Sequence, residues 1–64
     1  MKYNLELNGY PKSRATIIEA DGFQLGHPHS VVFFVMKEDP AFGYVQVNTH
    51  FYEDVISVSI VENV

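Results

Sequence analysis

The stretch Val31-Val32-Phe33-Phe34-Val35-Met36 is an apolar run of six residues with no polar break. It is far shorter than the ~20 residues that a membrane-spanning helix needs, and it is rich in Val and Phe, which suit a pleated surface. Turn-forming residues flank it, with Gly26 and Pro28 before the run and Pro40 and Gly43 after it. The run therefore predicts a β-strand.

Both faces of this predicted strand are apolar. Because side chains alternate along a strand, one face carries Val31, Phe33 and Val35, and the other carries Val32, Phe34 and Met36. Both faces must then be covered. Two alternatives stay open: the strand is central in a curled sheet, or one of its faces meets another chain.

The length and composition predict one small folded domain, residues 1–64. A chain of 64 residues hides only ~60% of the surface that its unfolded form exposes. It contains no cysteine, so neither disulfides nor thiolate metal sites can stabilise it. Hydrophobic residues make up 47% of the chain, which excludes a disordered protein. Self-association is the remaining general source of stability.

The charge is mildly acidic. Eight carboxylates against four basic residues give a formal net charge of -4, which argues against broad binding to phosphate backbones. The carboxylates are scattered, and we interpret them as solvated residues of turns and strand exteriors. No basic patch followed by an apolar stretch comes after Met1, so we expect no signal peptide and a cytoplasmic location.

Four other segments have strand patterns. Residues 2–8 alternate cleanly, with Tyr3, Leu5 and Leu7 on one face. Residues 14–20, 44–48 and 55–61 follow, and residues 23–25 either pair briefly or extend a bent strand. In the last segment Ile56, Val58 and Ile60 are expected to face inward.

The connections carry recognisable turn chemistry. Asp39 and Pro40 fit the first two positions of a type I turn, and Gly43 can relieve its exit. Residues 50–54 lose the alternation, and Thr49 precedes them. We therefore predict a single helical turn there, capped by Thr49.

These elements predict an all-β fold, namely a small five-stranded antiparallel barrel or strongly curled sheet with one helical turn before the last strand. That outline resembles SH3-like and Sm-like barrels, which also place a helical turn before their last strand. The alternative is an open five-stranded sheet that pairs with a copy of itself.

The histidines are the only local group that resembles a metal site. His27 and His29 lie two apart, so they would point the same way in an extended segment. His50 could add a third ligand and Asp21 a carboxylate. Two histidines without further motif spacing are more typical of a surface loop, so we expect no cofactor.

The sequence contains no catalytic set. The adjacent carboxylates Glu38-Asp39 and Glu53-Asp54 fall in predicted turns, where exposure leaves them unsuited to general acid–base work. No serine has a nucleophile-elbow motif around it. We therefore expect a protein that is not an enzyme.

A small basic loop supports an alternative function. Lys12 and Arg14 lie beside Tyr10, and a stacking aromatic with two cations is a plausible contact for single-stranded nucleic acid. The acidic surroundings make nucleic acid the less favoured ligand.

The favoured interpretation is a non-enzymatic protein-interaction module that is also homo-oligomeric. Apolar side chains exceed what one strand face can bury, and exposed aromatic patches usually mark interfaces. The predicted interface for a partner protein or a second copy consists of Val32, Phe34, Met36, Phe42, Phe51 and Tyr52. Small acidic chains of this kind are typical of phage- or mobile-element inhibitors of host proteins, which is one hypothesis for its role.

Overall fold

The protein is built from six β-strands. The computed structural model describes residues 1–9 and 11–61, and within them there is no helix. The strands are β1 (Lys2–Leu7), β2 (Arg14–Glu19), β3 (Gly22–Gly26), β4 (Ser30–Asp39), β5 (Gly43–Tyr52) and β6 (Val55–Val61). The all-β class is as predicted. The predicted number of five strands was wrong, because residues 22–26 form a full strand.

The strands form two three-stranded antiparallel sheets and not a closed barrel. The first sheet has the order β2-β1-β6 and the second has the order β3-β4-β5. The chain crosses from the first sheet to the second between β2 and β3, and it returns between β5 and β6. The barrel prediction was wrong because β3 and β6 are edge strands with no ladder joining them in the described part of the chain.

Asp21 fixes the first crossing. Its backbone N–H donates to the carbonyl of Phe34 at 2.9 Å, and its Oδ2 accepts from the Met36 N–H at 2.6 Å. The pairing of β3 with β4 ends at Gly22 and Phe34. The Asp21 carboxylate thus accepts a hydrogen bond from the next backbone N–H of β4 that β3 does not reach. The Asp21-Gly22 turn predicted from the sequence therefore joins two sheets.

The core lies between the two sheets and is entirely apolar among the described residues. Its buried side chains come from β1, β2 and β4 and from the residue after β2: Tyr3, Leu5, Ile18, Ala20, Val31 and Phe33. The predicted alternation of β1 is confirmed, because Tyr3 and Leu5 are buried and Leu7 packs against the same cluster.

The predicted helical turn over residues 50–54 was wrong. Strand β5 continues to Tyr52, and its register with β4 shifts between Phe33 and Phe34, which pair with His50 and Asn48. Thr49 is the extra residue of this β-bulge, and its hydroxyl donates to the Phe33 carbonyl at 3.3 Å. Because a bulge changes which residues face inward, it breaks the alternation without forming a helix.

The connection between β4 and β5 follows the predicted turn chemistry. The Asp39 Oδ1 accepts from the N–H groups of Ala41 at 2.8 Å and Phe42 at 3.2 Å. Gly43 closes the turn with a φ of 82°, a conformation that favours glycine. This tight turn joins β4 and β5 into one long hairpin.

The molecule is elongated. Its radius of gyration is 13.4 Å and its principal extents are 48 × 32 × 12 Å, whereas a globular chain of this length has a radius of gyration of about 11 Å. Strands β4 and β5 have ten residues each, but β1 has six. The far half of the hairpin therefore extends past the first sheet.

Candidate protein-interaction surface

One side of the β4–β5 hairpin points away from the core and is largely apolar. We call it the hairpin face and define it by Val32, Phe34, Met36, Tyr44 and Phe51. Val32 pairs directly with Phe51 across the strands, and Glu38 pairs with Tyr44. Met36, Tyr44 and Phe51 are exposed, and the other two are half-buried.

Gly22 holds Phe34 in this surface. Gly22 pairs with Phe34, and a Cβ built on it would lie 2.5 Å from the Phe34 Cζ. The ring therefore lies over the glycine backbone, where no side chain interrupts it. Because the Phe34 ring is half-buried against the Gly22 backbone, it has a fixed position at the centre of the hairpin face.

Polar and acidic groups lie within and beside the hairpin face. Asn48 and Gln46 pair with Phe34 and Met36 on β5, and the Gln46 Nε2 donates to the Asn48 Oδ1 at 3.2 Å. Exposed carboxylates lie beside the face, because Glu38 is opposite Tyr44 and Asp21 is bonded to Met36. An apolar centre rich in aromatics and Met with a polar rim is the composition of protein interfaces.

The structure brings together most of the residues predicted to form the interface. Val32, Phe34, Met36 and Phe51 share the hairpin face, while Phe42 lies at the hairpin tip and is 81% exposed. Tyr52 lies on the opposite side, where it pairs with buried Val31 and its ring meets Phe33 edge-on at 6.2 Å.

Sequence reasoning left Tyr44 out of the interface and included Tyr52, which the structure places on the core side of β5. The bulge at Thr49 changes the inward-facing residues of β5 from Val45 and Val47 to His50 and Tyr52. Counting alternate residues back from Phe51 therefore assigns the wrong face to the other half of the strand. Tyr44 is placed on the hairpin face by its cross-strand pairing with Glu38, which lies two residues after Met36 on the same face of β4.

The three histidines do not converge with acidic residues. His27 and His29 occupy the exposed turn between β3 and β4, and His29 has a φ of 52°, so the extended geometry assumed for a shared ligand pair is not present. His50 lies on the core side of β5, where its ring stacks on Tyr52 at 6.2 Å. Across residues 1–9 and 11–61, no three His, Asp or Glu side chains are grouped to hold a metal ion.

The predicted nucleic-acid loop is only partly described. Tyr10 lies outside the described residues. Lys12 and Arg14 are exposed, and between them the Ser13 hydroxyl donates to the Glu6 Oε1 at 3.1 Å. A carboxylate thus lies against the basic loop, which weakens its attraction for phosphate.

Of the carboxylate pairs predicted to be solvated, Glu38-Asp39 ends β4 and Glu53-Asp54 follows β5. Glu53 and Asp54 are exposed, as is Glu38, and half-buried Asp39 is engaged in the turn. No charged or polar side chain is buried in the described part of the chain. None of the described residues belongs to a helix that could cross a membrane.

A groove of about 380 Å³ separates the free edges of the two sheets. Its walls are the C-terminal half of β3 and the N-terminal half of β6, and its apolar lining is Phe23, Leu25, Val55, Ile56 and Val58. His27 and His29 complete the β3 side. The groove has the mixed apolar lining of a binding site but no buried charge that would orient a substrate.

Comparison with known proteins adds no functional assignment: the chain matches no protein-family model, no curated protein and no solved structure.

Proposed function

We propose that this protein is a non-enzymatic interaction module that binds another protein through its hairpin face. The observation that supports the proposal most is the apolar strip on the side of β4 that faces away from the core. In a monomeric soluble domain such strips are small, whereas here Met36, Tyr44 and Phe51 are all exposed on the same side of the hairpin.

The charges around the hairpin face indicate the chemistry of the partner. Asp21 and Glu38 flank the apolar strip, and the whole chain has a net charge of -4. A partner that presents an apolar patch bordered by Lys or Arg would match this arrangement, since charge complementarity selects partners and accelerates their encounter.

The non-enzymatic part of the proposal is supported by where the polar groups lie. Acid–base chemistry at neutral pH uses sheltered groups with shifted pKa values. Most of the described carboxylates are exposed, while half-buried Asp39 is bonded in a turn and half-buried Glu6 accepts from Ser13. The groove between the sheets is lined mainly by apolar side chains.

Capture of the partner is expected to depend on the exposed hydrophobic side chains of the hairpin face. We expect the double variant Met36→Ser/Phe51→Ser to recover at least about tenfold less partner than the native protein, because central interface side chains commonly contribute 2 kcal/mol or more. The measurement is quantitative mass spectrometry of proteins captured from a lysate of the source organism.

The matched control is Ile17→Ser. Ile17 is 55% exposed, close to the 63% of Phe51, but it lies on β2 in the first sheet. This variant should capture the partner as well as the native protein does. Equal recovery by the hairpin-face variant and the native protein would contradict the proposal.

A further inference from the structure

The groove between β3 and β6 has its floor on the core. Phe23 and Val58 line it, and both pack against the buried cluster. The Phe23 ring contacts those of Tyr3 and Phe33, with ring centroids 5.2 and 6.0 Å apart. The volume of the groove, about 380 Å³, falls within the range of roughly 300–1,000 Å³ that is typical of small-molecule sites. The groove can therefore hold the apolar body of a small molecule.

Exposed aliphatic side chains stand on both walls of the groove. Leu25 lines it from β3 and is 71% exposed, and Ile56 lines it from β6 and is 52% exposed. Ile56 is the extra residue of a β-bulge, because it has no partner in the register of β6 with β1, and bulges re-aim side chains. An apolar molecule between the walls would remove Leu25 and Ile56 from water, which is favourable.

Hydrogen-bond donors are collected at one end of the groove. His27, His29 and Ser30 line it where β3 leads into β4. A histidine donates from at least one ring nitrogen in either protonation state, and serine donates from its hydroxyl. The Val55 N–H donates to the His29 carbonyl at 2.8 Å, so a backbone bond joins the two sheets at this end. The donors therefore lie at a part of the groove that the fold holds together.

The charges around the groove favour an anion. None of the described residues that line it is Asp or Glu, although the chain carries eight carboxylates and a net charge of -4. Asp54 lines a different cavity, of about 310 Å³, which shares His29 with the groove. Donors without a carboxylate among them are suited to an anionic acceptor, because hydrogen bonds to a charged group are the stronger ones.

We propose that the groove binds a small monocarboxylic acid with an apolar body, of which a medium-chain fatty acid is the simplest example. The body lies between Leu25 and Ile56 over the Phe23 ring, and the carboxylate accepts hydrogen bonds at the end formed by His27 and His29. The ligand is a free molecule and not a bilayer, because none of the described lining residues is Lys or Arg, the side chains that attract anionic lipid surfaces. The proposal does not depend on the hairpin face.

Titration calorimetry of the native protein with octanoate and octanol tests the proposal first. The two probes have the same aliphatic chain and differ in the charge of the head group. We expect octanoate to bind at least about tenfold more tightly than octanol, because a hydrogen bond to a charged group contributes more than a neutral one. Equal affinities, or no octanoate binding at millimolar concentration, would overturn the proposal.

The double variant His27→Gln/His29→Asn tests the polar end. Both histidines are exposed, and asparagine tolerates the positive φ of 52° at His29, so the fold should be retained. We expect octanoate affinity to fall at least about fivefold and octanol affinity to stay unchanged. Unchanged octanoate affinity would refute the role of the histidines and with it the proposal.

Leu25→Ser tests the apolar wall, with Ile17→Ser as the matched control. We expect the first variant to bind both probes at least about threefold more weakly and the second to bind them as the native protein does. Equal effects of the two variants would contradict the proposal.

Amide chemical shifts locate the probe without relying on substitutions in the groove. Addition of octanoate should shift the amides of residues 23–27 and 55–58 and leave those of the hairpin face in place. The variant Met36→Ser/Phe51→Ser should bind octanoate as the native protein does. Shifts confined to the hairpin face, or loss of binding in that variant, would assign the probe to the hairpin face and overturn the proposal.

Discussion

Phe33→Ala is expected to remove a large part of the protein's free energy of unfolding at 25 °C. Phe33 has 0% exposure, and its ring contacts those of Tyr3, Phe23 and Tyr52 at 5.6, 6.0 and 6.2 Å. Loss of a buried Phe side chain costs ~3–5 kcal/mol, whereas a chain of this length has a free energy of unfolding of only about 3–10 kcal/mol. Urea denaturation followed by circular dichroism measures the loss.

Phe34→Ala is the matched control for that substitution. Phe34 is the next residue of β4 and is also a phenylalanine, but its side chain lies half-buried on the hairpin face. We expect a loss well below that of Phe33→Ala, because the removed ring has less surface to expose. Equal losses for the two variants would mean that the core lies elsewhere than between the sheets.

Leu5→Ala is expected to cost ~2–5 kcal/mol of unfolding free energy. Leu5 is the fully buried side chain that the first sheet contributes, with 0% exposure, and it lies in the same cluster as Phe33. The contact between the sheets therefore depends on it as much as on any residue of β4. The urea midpoint of the variant, compared with that of the native protein, gives the change.

Asn4→Ala is the control on the opposite face of β1. Asn4 lies between Ile17 and Ser59 on the polar side of the first sheet, so its truncation should change the stability by no more than about 0.5 kcal/mol. If Asn4→Ala were as destabilising as Leu5→Ala, the assignment of the two faces of β1 would be wrong.

The sequence predicted the strands whose pattern is local and regular. Alternation in β1 and the unbroken run of β4 indicate strands by themselves, and the Asp39 turn follows from the chemistry of Asp39 and Gly43. The sequence could not say which face of β4 is buried, because both faces are equally apolar. That choice depends on Tyr3 and Leu5, which approach from another sheet.

The wrong helical turn over residues 50–54 has one physical cause. A single bulge at Thr49 moves every later residue of β5 to the other face, and the pattern then resembles a break. Tyr52 was placed in the interface as an aromatic residue near a predicted turn, whereas it packs on the core side of β5. Alternation along β4 predicts that Val32, Phe34 and Met36 share a face, but it does not show that this face is the one turned away from the core.

Photo-crosslinking from the hairpin face tests the central claim most directly. A benzophenone-bearing phenylalanine placed at Phe51 would lie on the proposed interface, while the same group at Ile17 would lie on β2, in the first sheet. We predict that irradiation in lysate yields a discrete adduct with a different protein from the first position and none from the second. No adduct at the first position, the same adduct from both, or only an adduct between two copies of this chain would contradict the account.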